Sequence, residues 1–292
     1  MRLMSFSVDG KPSFGVVCAS GVIDAGVRLG QRFANLRDAI ANDALPDLDS
    51  LGQQQSADYA FDDVVFEPVI PVSDKVICVG INYRPHIEET GRDAPEHPLL
   101  FTRFASSQTG HERELVAPSL SHRFDYEGEL AVIIGQAGRH IPAAAALGHV
   151  AGYACFNDGS VRDYQRHSSQ FTAGKNFTGS GSFGPWMVAA DEIGDPASLS
   201  LHTRLNGDVM QSASVAELVF DVPTLIAYIS SFCALIPGDV IVTGTPGGVG
   251  YVRKPPVYMK AGDTVEVEIS AIGVLRNHIV DEAGRSQSVV AS

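Results

Sequence analysis

The distribution of short apolar runs is the feature that most constrains the fold of this chain. From residue 75 to residue 269, runs rich in β-branched residues recur between Gly- and Pro-rich loops: KVICVGI, PLLFTRF, ELAVIIG, HVAGYACF, PWMVA, DVIVTG and DTVEVEI. Few helical patterns separate them, so the regular βαβ alternation of a doubly wound sheet or a TIM barrel is missing. The sequence therefore predicts a mixed, β-rich fold made mostly of antiparallel sheet.

The first 69 residues differ from the rest in their pattern. Brief apolar runs alternate there with Asp-Gly, Ser-Gly and Ala-Gly turns, and the segment from about residue 30 to residue 45 has helical spacing. A polar stretch, LGQQQSADYAFDD, then precedes the proline-marked PVIPVSDK. We therefore expect a small N-terminal α+β domain over residues 1–69 and a larger domain over residues 70–292.

Composition and charge exclude several classes of protein. Of the 292 residues, 45% are apolar and 19% are charged, and the formal net charge is −13. An acidic chain without a basic run repels nucleic acid and anionic membranes, so we expect neither as a partner. No apolar stretch approaches the roughly 18 residues of a membrane span, and no signal-peptide core opens the sequence. The four cysteines form no CxxC pair, which favours a reducing, cytoplasmic compartment.

Carboxylates alternate along the segment FDYEGELAVIIG. If residues 125–134 are extended, Asp125, Glu127 and Glu129 point to one face of the strand. Carboxylates this close on a partly buried face repel each other and need a cation. A hard divalent metal with oxygen ligands, Mg²⁺ or Mn²⁺, meets that need, and the solvated face of an edge strand is the alternative.

A second polar group follows the run VAGYACF. Asp158 is there either a third oxygen ligand or an ordinary turn former. Arg162 and Gln165 lie three residues apart on one side of a helical turn, and Lys175 follows in AGKNF. Such donors beside a carboxylate–metal cluster suit an anionic oxo-acid and stabilise an enolate. Solvated surface is the alternative for these three donors.

The segment VGINYRPHIEETG contains a candidate acid–base pair. A strand ends near residue 81, and a short helix is predicted to begin at Pro85. His86 and Glu89 then lie three positions apart on that helix, where the carboxylate can orient and polarise the imidazole. Such a dyad can remove a proton from water, although an incidental pair on an exposed helix is the alternative.

Two glycine-rich segments carry weaker signals. Residues 179–184 match GxGxxG, but no predicted strand leads into them and Pro-Trp follows them, so the dinucleotide interpretation lacks its context. The segment GTPGGVG follows the run DVIVT without the Lys-Ser/Thr of a Walker loop. Its backbone N–H groups and the Thr245 hydroxyl can hold a carboxylate, or the segment is simply a tight turn.

The order of these segments resembles that of the fumarylacetoacetate hydrolase family. The segments that carry the resemblance are VGINYRPHIEE, DYEGELAVIIG, GYACFNDGSVRDYQ, GKNF, LNGDVMQ, IPGDVIVTGTPGGVG and KAGDTVEVEI, over about residues 75–279. The resemblance implies the β-sandwich roll of that family, with the small N-terminal domain that many members carry. It also implies a homodimer.

The resemblance further implies roles for individual residues. The metal ligands are expected to be Glu127, Glu129 and Asp158, holding Mg²⁺ or Mn²⁺. The catalytic residues are expected to be His86 and Glu89, which match an HxxE dyad on a lid segment, and Lys175. The substrate-binding residues are expected to be Tyr83, Arg162, Gln165, Gly244 and Thr245.

The activity implied is metal-dependent hydrolysis of a carbon–carbon bond in a small acylpyruvate, such as fumarylpyruvate or maleylpyruvate. Pyruvate would be released, as in the catabolism of aromatic compounds, and the His86–Glu89 dyad would activate water. An isomerase or decarboxylase of a 2-oxo or 2-hydroxy-diene dioic acid, or of oxaloacetate, is the alternative within the family. A non-catalytic scaffold that binds metal or oxo-acid is the alternative of another class.

Overall fold

Strands dominate the computed structural model of the protein, which describes residues 1–53, 56–91 and 93–284. Each apolar run named above contributes to a strand, as predicted. The strands are β1 (Arg2–Val8), β2 (Lys11–Cys18), β3 (Gly21–Asp24), β4 (Val65–Phe66), β5 (Val76–Gly80), β6 (Leu99–Thr102), β7 (Gln108–Thr109), β8 (Glu114–Ala117), β9 (Phe124–Asp125), β10 (Gly128–Ile134), β11 (Val150–Asn157), β12 (Ser160–Val161), β13 (Gly181–Ala189), β14 (Ser200–Leu205), β15 (Asp208–Ser214), β16 (Val240–Val242), β17 (Thr264–Ile269) and β18 (Gly273–Asp281).

The helices are short. They are α1 (Ala25–Arg28), α2 (Leu36–Ala41), α3 (Leu45–Gly52), α4 (Arg84–Thr90), α5 (Arg162–Gln165), α6 (Thr172–Lys175), α7 (Ala190–Ile193) and α8 (Val222–Phe232). Of the segment near residues 30–45 that has helical spacing, only α2 is helical, and the next helix, α3, begins at Leu45. The two helices are separate because Asp43 between them has a φ of 55°, outside the helical region. Within the described ranges, no helix is both long and apolar enough to cross a bilayer.

Two large sheets form the body of the described structure. The first has eleven strands, with the path β3-β2-β1-β13-β11-β10-β16-β5-β6, while β4 pairs with β1 and β7 with β13. The second has five strands in the order β15-β14-β17-β18-β8, and β9 pairs with β12 separately. Most neighbouring strands are antiparallel, which confirms the predicted fold class.

The central strand β10 is buried on both faces. Leu130 and Val132 share an apolar core with Val267 of the second sheet, so this core lies between the two sheets. Ala131 and Ile133 point the other way, into a second core that covers the opposite face of the large sheet. A strand buried on both faces is a rigid support for polar residues placed at its end.

The N-terminal segment extends the large sheet. β1 pairs antiparallel with β13, and Leu36, Ile40 and Leu48 from α2 and α3 share the second core with β10. The domain boundary expected near residue 69 stays a prediction. The apolar contacts across it form one continuous core beneath the site described next.

Candidate active site

The candidate site lies at one edge of the large sheet. β10 runs antiparallel to both β11 and β16, and β16 runs parallel to β5. The start of β10 therefore lies beside the ends of the other three strands. Glu129 stands at the start of β10, Asp158 follows β11, Thr245 follows β16 and His86 follows β5. Pairing of the strands thus collects residues from four separate segments.

Three carboxylates converge at this edge. Glu127, Glu129 and Asp158 each offer one oxygen within 4.8 Å of the others, and all three side chains are buried. Backbone contacts fix two of them relative to each other, since the Asp158 N–H donates to the Glu127 carbonyl at 2.8 Å. The structure therefore brings together the three acids that the sequence predicts as metal ligands.

Lys175 lies between two of these acids. Its Nζ donates to Asp158 Oδ2 at 2.5 Å and to Glu127 Oε2. Burial alone lowers the pKa of Lys175, but Asp158 and Glu127 outweigh it, so the pKa is raised and the amine is charged. Burial, followed by the charges of Asp158 and Glu127, raises the pKa of Glu129 well above its usual value. The raised pKa of Glu129 therefore reflects its burial and the repulsion from its two acidic neighbours.

Two of the carboxylates are anchored through one oxygen each. Arg162 Nη1 lies 2.6 Å from Glu127 Oε1. The backbone N–H of Gly244 donates to Glu129 Oε2 at 2.6 Å. The sequence predicted Gly244 as a substrate contact, but its N–H is occupied by Glu129, and Gly244 does not line the cavity described below. Its φ of 106° is a conformation that favours glycine.

Arg103 anchors the third carboxylate, and sequence reasoning missed it. Its Nη1 donates to Asp158 Oδ1 at 2.6 Å and to the Gly159 carbonyl at 2.9 Å, while Nη2 donates to Ser180 Oγ at 2.8 Å. Both side chains of the Arg103–Asp158 ion pair are fully buried. The sequence does contain a signal for this residue, because Arg103 lies near the end of the apolar run PLLFTRF. A charged side chain in a run that becomes buried needs a partner of opposite charge.

This donor set fits a divalent cation. The three ligand candidates offer only oxygen atoms, which Mg²⁺ and Mn²⁺ prefer, and all three are buried within reach of one ion. Each carboxylate is oriented by a separate donor on one of its oxygens, as the ligands of protein metal sites usually are. The residues present therefore match the metal that the sequence predicts.

Asp125 does not belong to this cluster. The predicted continuous strand over residues 125–134 is wrong, because β9 ends at Asp125 and β10 begins only at Gly128. Asp125 Oδ2 instead accepts from Arg162 Nε at 2.8 Å and from the Tyr251 N–H at 3.0 Å. Asp125 thus holds Arg162, which in turn holds the first ligand candidate.

The His86–Glu89 dyad forms as predicted, on helix α4. Nδ1 of His86 lies 2.7 Å from Glu89 Oε1, and Glu89 Oε2 accepts from the Gly248 N–H at 2.9 Å. Because Glu89 occupies Nδ1, Nε2 is the imidazole nitrogen that can meet a ligand. The helix begins at Arg84, one residue before the predicted start.

A small cavity of about 60 Å³ connects these groups. Its lining includes eight of the predicted site residues, namely His86, Glu127, Glu129, Asp158, Arg162, Gln165, Lys175 and Thr245. Gln165 Oε1 accepts from Arg162 Nη1 at 3.0 Å. The Thr245 hydroxyl accepts from Gln211 Nε2 at 2.7 Å and donates to the Gly128 carbonyl at 3.1 Å. Acidic, basic and amide groups therefore face one cavity.

Tyr83 lies outside this cavity. Its side chain is fully buried in the core between the sheets, with Ile77 and Val79. The residue stands at the N-terminal cap of α4, where its backbone pairs with Leu218. The structure thus places the Tyr83 ring in the core, and the substrate contact expected of this residue stays a prediction.

Comparison with known proteins identifies the family. The family model described as fumarylacetoacetate (FAA) hydrolase C-terminal matches residues 75–280. The chain belongs to the fumarylacetoacetate hydrolase family, as the order of its motifs predicted.

Individual relatives point to related but different reactions. The human mitochondrial oxaloacetate tautomerase FAHD2A is 44% identical over 220 residues, which cover 75% of this chain and 70% of the relative. The fumarylacetoacetate hydrolase of Exiguobacterium antarcticum superposes with a TM-score of 0.84 at 37% identity, covering 96% of this chain and 99% of the other. A maleylpyruvate hydrolase from Sphingobium sp. SYK-6, in complex with manganese(II) and pyruvate, has a TM-score of 0.79 at 29% identity, with coverage of 96% and 99%.

Proposed function

We propose that this protein is a divalent-metal-dependent enzyme that interconverts the enol and keto forms of a small 2-oxo dicarboxylic acid such as oxaloacetate. One observation carries the proposal: three buried acids, Lys175 and the histidine of the His–Glu dyad all line one cavity of about 60 Å³. That volume favours a compact substrate. The 44% identity to a human oxaloacetate tautomerase supports the same reaction.

Glu127, Glu129 and Asp158 would hold the metal ion. Bound there, Mg²⁺ or Mn²⁺ would supply Lewis-acid polarisation of the 2-oxo group of the substrate. The manganese complex of the maleylpyruvate hydrolase supports a divalent ion of this kind.

Proton transfer is the task of the protein's own side chains. Tautomerisation moves one proton from the enol oxygen to the neighbouring carbon, so it needs a group that accepts and then returns a proton. Nε2 of His86 can do both, while Glu89 holds Nδ1 and fixes the tautomer. Lys175 keeps its proton and would donate a hydrogen bond to the charge that develops on oxygen.

Substrate orientation would come from Gln165 and Thr245. Both line the cavity, and the Thr245 hydroxyl is positioned by Gln211 and by the Gly128 carbonyl. The N–H₂ group of Gln165 can donate to a substrate carboxylate as it stands, whereas the Thr245 hydroxyl would first turn its proton away from the Gly128 carbonyl.

Hydrolysis of an acylpyruvate is the second candidate, and the dyad is the observation that favours it. A His–Glu pair can remove a proton from water, whose oxygen would attack the distal carbonyl of fumarylpyruvate or maleylpyruvate. The carbon–carbon bond would then break to give pyruvate and fumarate or maleate, as in the catabolism of aromatic compounds. The fold shared with the maleylpyruvate hydrolase supports this alternative.

Product analysis separates the candidates. The purified chain, loaded with Mg²⁺ or Mn²⁺, is mixed with enol-oxaloacetate, fumarylpyruvate and maleylpyruvate in separate reactions. We expect faster loss of the enol ultraviolet absorbance without release of pyruvate or CO₂. Pyruvate with fumarate or maleate would instead establish the hydrolase, and pyruvate with CO₂ a decarboxylase. Binding of oxalate without turnover of any substrate would leave a non-catalytic scaffold.

A further inference from the structure

One cationic side chain of the cavity has no role in the site described so far. Arg166 lines the same cavity as the three acids, but its side chain is exposed. It directly follows α5 and caps it, so Arg162, Gln165 and Arg166 occupy positions i, i+3 and i+4 of one helical turn. Residues with this spacing share a face, and all three line the cavity.

The two arginines of this turn differ in how far they are neutralised. Arg162 contacts the carboxylates of Asp125 and Glu127. Arg166 has no ion-pair partner among the residues that the structure describes. A free guanidinium at the opening of a cavity can bind an anionic group of a ligand in a bidentate manner.

Tyr251 holds the two guanidinium groups near each other. Its ring also lines the cavity, and it lies 4.5 Å from Arg162 Cζ and 5.2 Å from Arg166 Cζ. Contact with an aromatic face orients a guanidinium without neutralising its charge. The hydrogen-bonding groups of Arg166 thus stay available to a ligand.

A second observation points to an anion at the same place. Nη2 of Arg162 is buried and has no hydrogen-bond partner among the described residues, and the residue as a whole is only 4% exposed. A buried donor without an acceptor is costly, and a ligand oxygen would satisfy it. The unpaired donor and the free guanidinium belong to neighbouring side chains on one face of the same turn.

We propose that Arg166, with Nη2 of Arg162, binds the distal carboxylate of a 2-oxo dicarboxylic acid and so selects dianionic over monoanionic substrates. The inference rests on the proposed function, because it assumes that the 2-oxo-acid end is held at the three buried acids and Lys175. A single negative charge can be accommodated at that end. The second carboxylate of a dianion needs a cation of its own, which Arg166 supplies.

The test compares two probes that differ in one group. Oxaloacetate carries a distal carboxylate, whereas 2-oxobutanoate has a methyl group in its place. Binding of each to the Mn²⁺-loaded protein is measured by calorimetry and by thermal shift, for the wild type, for Arg166→Gln and for Arg139→Gln. Arg139 is an exposed arginine outside the cavity lining, so its variant controls for the change in net charge.

We expect Arg166→Gln to lower the preference for oxaloacetate over 2-oxobutanoate about tenfold. This factor is the low end for a hydrogen bond between charged groups, and we choose it because Arg166 is exposed and its charge is screened by solvent. Arg166→Lys should restore part of the preference, since the charge returns without the bidentate geometry. Arg139→Gln should keep the wild-type preference. Equal weakening of both probes by Arg166→Gln, or no weakening, would overturn the inference.

Failure of the proposed reaction gives a different result. If the wild-type protein binds oxaloacetate in an Arg166-dependent manner but does not accelerate its tautomerisation, the proposed function is wrong and the carboxylate site stands. If the wild-type protein accelerates tautomerisation but Arg166→Gln keeps the preference for oxaloacetate over 2-oxobutanoate, the proposed function stands and the carboxylate site is wrong.

Discussion

The inner end of the cavity, formed by Glu127, Glu129 and Asp158, and the wall formed by His86 of α4 differ in what holds their side chains in place. At the inner end, donors from three separate segments orient the carboxylates: Arg103 after β6, Arg162 on α5 and Gly244 after β16. At the wall, His86 is oriented by Glu89 of its own helix. The inner end therefore depends on many long-range contacts, and the wall depends mainly on one local contact.

This difference separates stability from rate. Removing one partner of a buried ion pair leaves an uncompensated charge, so the inner end should govern the free energy of unfolding and metal affinity. A His–Glu pair within one helix contributes little to folding, yet it can contribute strongly to proton transfer. Substitutions in the two regions should consequently change different measurements.

The largest effect is expected for Arg103→Met. It removes one of the two buried cations that contact Asp158 and leaves Oδ1 of that carboxylate without its arginine, which should lower the free energy of unfolding by about 3–5 kcal/mol. Urea denaturation in the presence of EDTA measures this loss, and calorimetry with Mn²⁺ should show affinity about 10–100-fold weaker.

Arg113→Met is the control for Arg103→Met, because the ion pair of Arg113 with Glu67 is long, at 3.4 Å, and lies at the surface. That variant should lose at most about 1 kcal/mol. Equal losses in the two variants would contradict the comparison.

The second-largest effect is expected for His86→Ala, and it should appear in kcat. Loss of the proton-transfer group should lower kcat about 10²–10³-fold, equivalent to about 3–4 kcal/mol. Mn²⁺ affinity should stay near the wild-type value, because His86 anchors none of the three acids. Steady-state kinetics and calorimetry test both statements, with His97→Ala as the control, since His97 stacks on Tyr228 outside the cavity lining. Near-normal turnover would remove His86 from the mechanism.

Metal binding should stabilise the native protein. At a free Mn²⁺ concentration of 100 times Kd, the free energy of unfolding should rise by about 2.7 kcal/mol. Differential scanning calorimetry after EDTA treatment and Mn²⁺ addition measures this rise. Glu129→Gln should abolish most of it, whereas His86→Ala should retain it. A wild-type protein that shows no rise would exclude the metal site.

Glu89→Gln should give the smallest effect. The single amide oxygen can still accept from Nδ1 of His86 and keep its tautomer, while the negative charge and the acceptor for the Gly248 N–H are lost. For this reason kcat should fall about tenfold, the low end for a residue that acts through another. The free energy of unfolding should change by less than about 0.5 kcal/mol. A loss of rate as large as that of His86→Ala would mean that Glu89 itself meets the substrate.

Local patterns predicted much of the fold and part of the site. The run ELAVIIG predicts β10, and the three-residue spacing of His86 and Glu89 predicts their contact on α4. Both succeed because backbone geometry fixes the relation between neighbours in a strand or a helix. Extending the same period back to Asp125 fails, because the chain leaves the strand between β9 and β10.

By itself, the sequence determined the β-rich class, the local dyad and, through the order of its motifs, the family. Only the tertiary structure decided which donor orients each carboxylate. Arg103 and Asp158 are 55 residues apart, and Glu129 and Gly244 are 115 apart. Such contacts depend on strand pairing and on which segments end at the same edge of a sheet, and no local spacing encodes either. Tyr83 turned into the core for the same reason, because packing between the sheets outweighed its position in a motif.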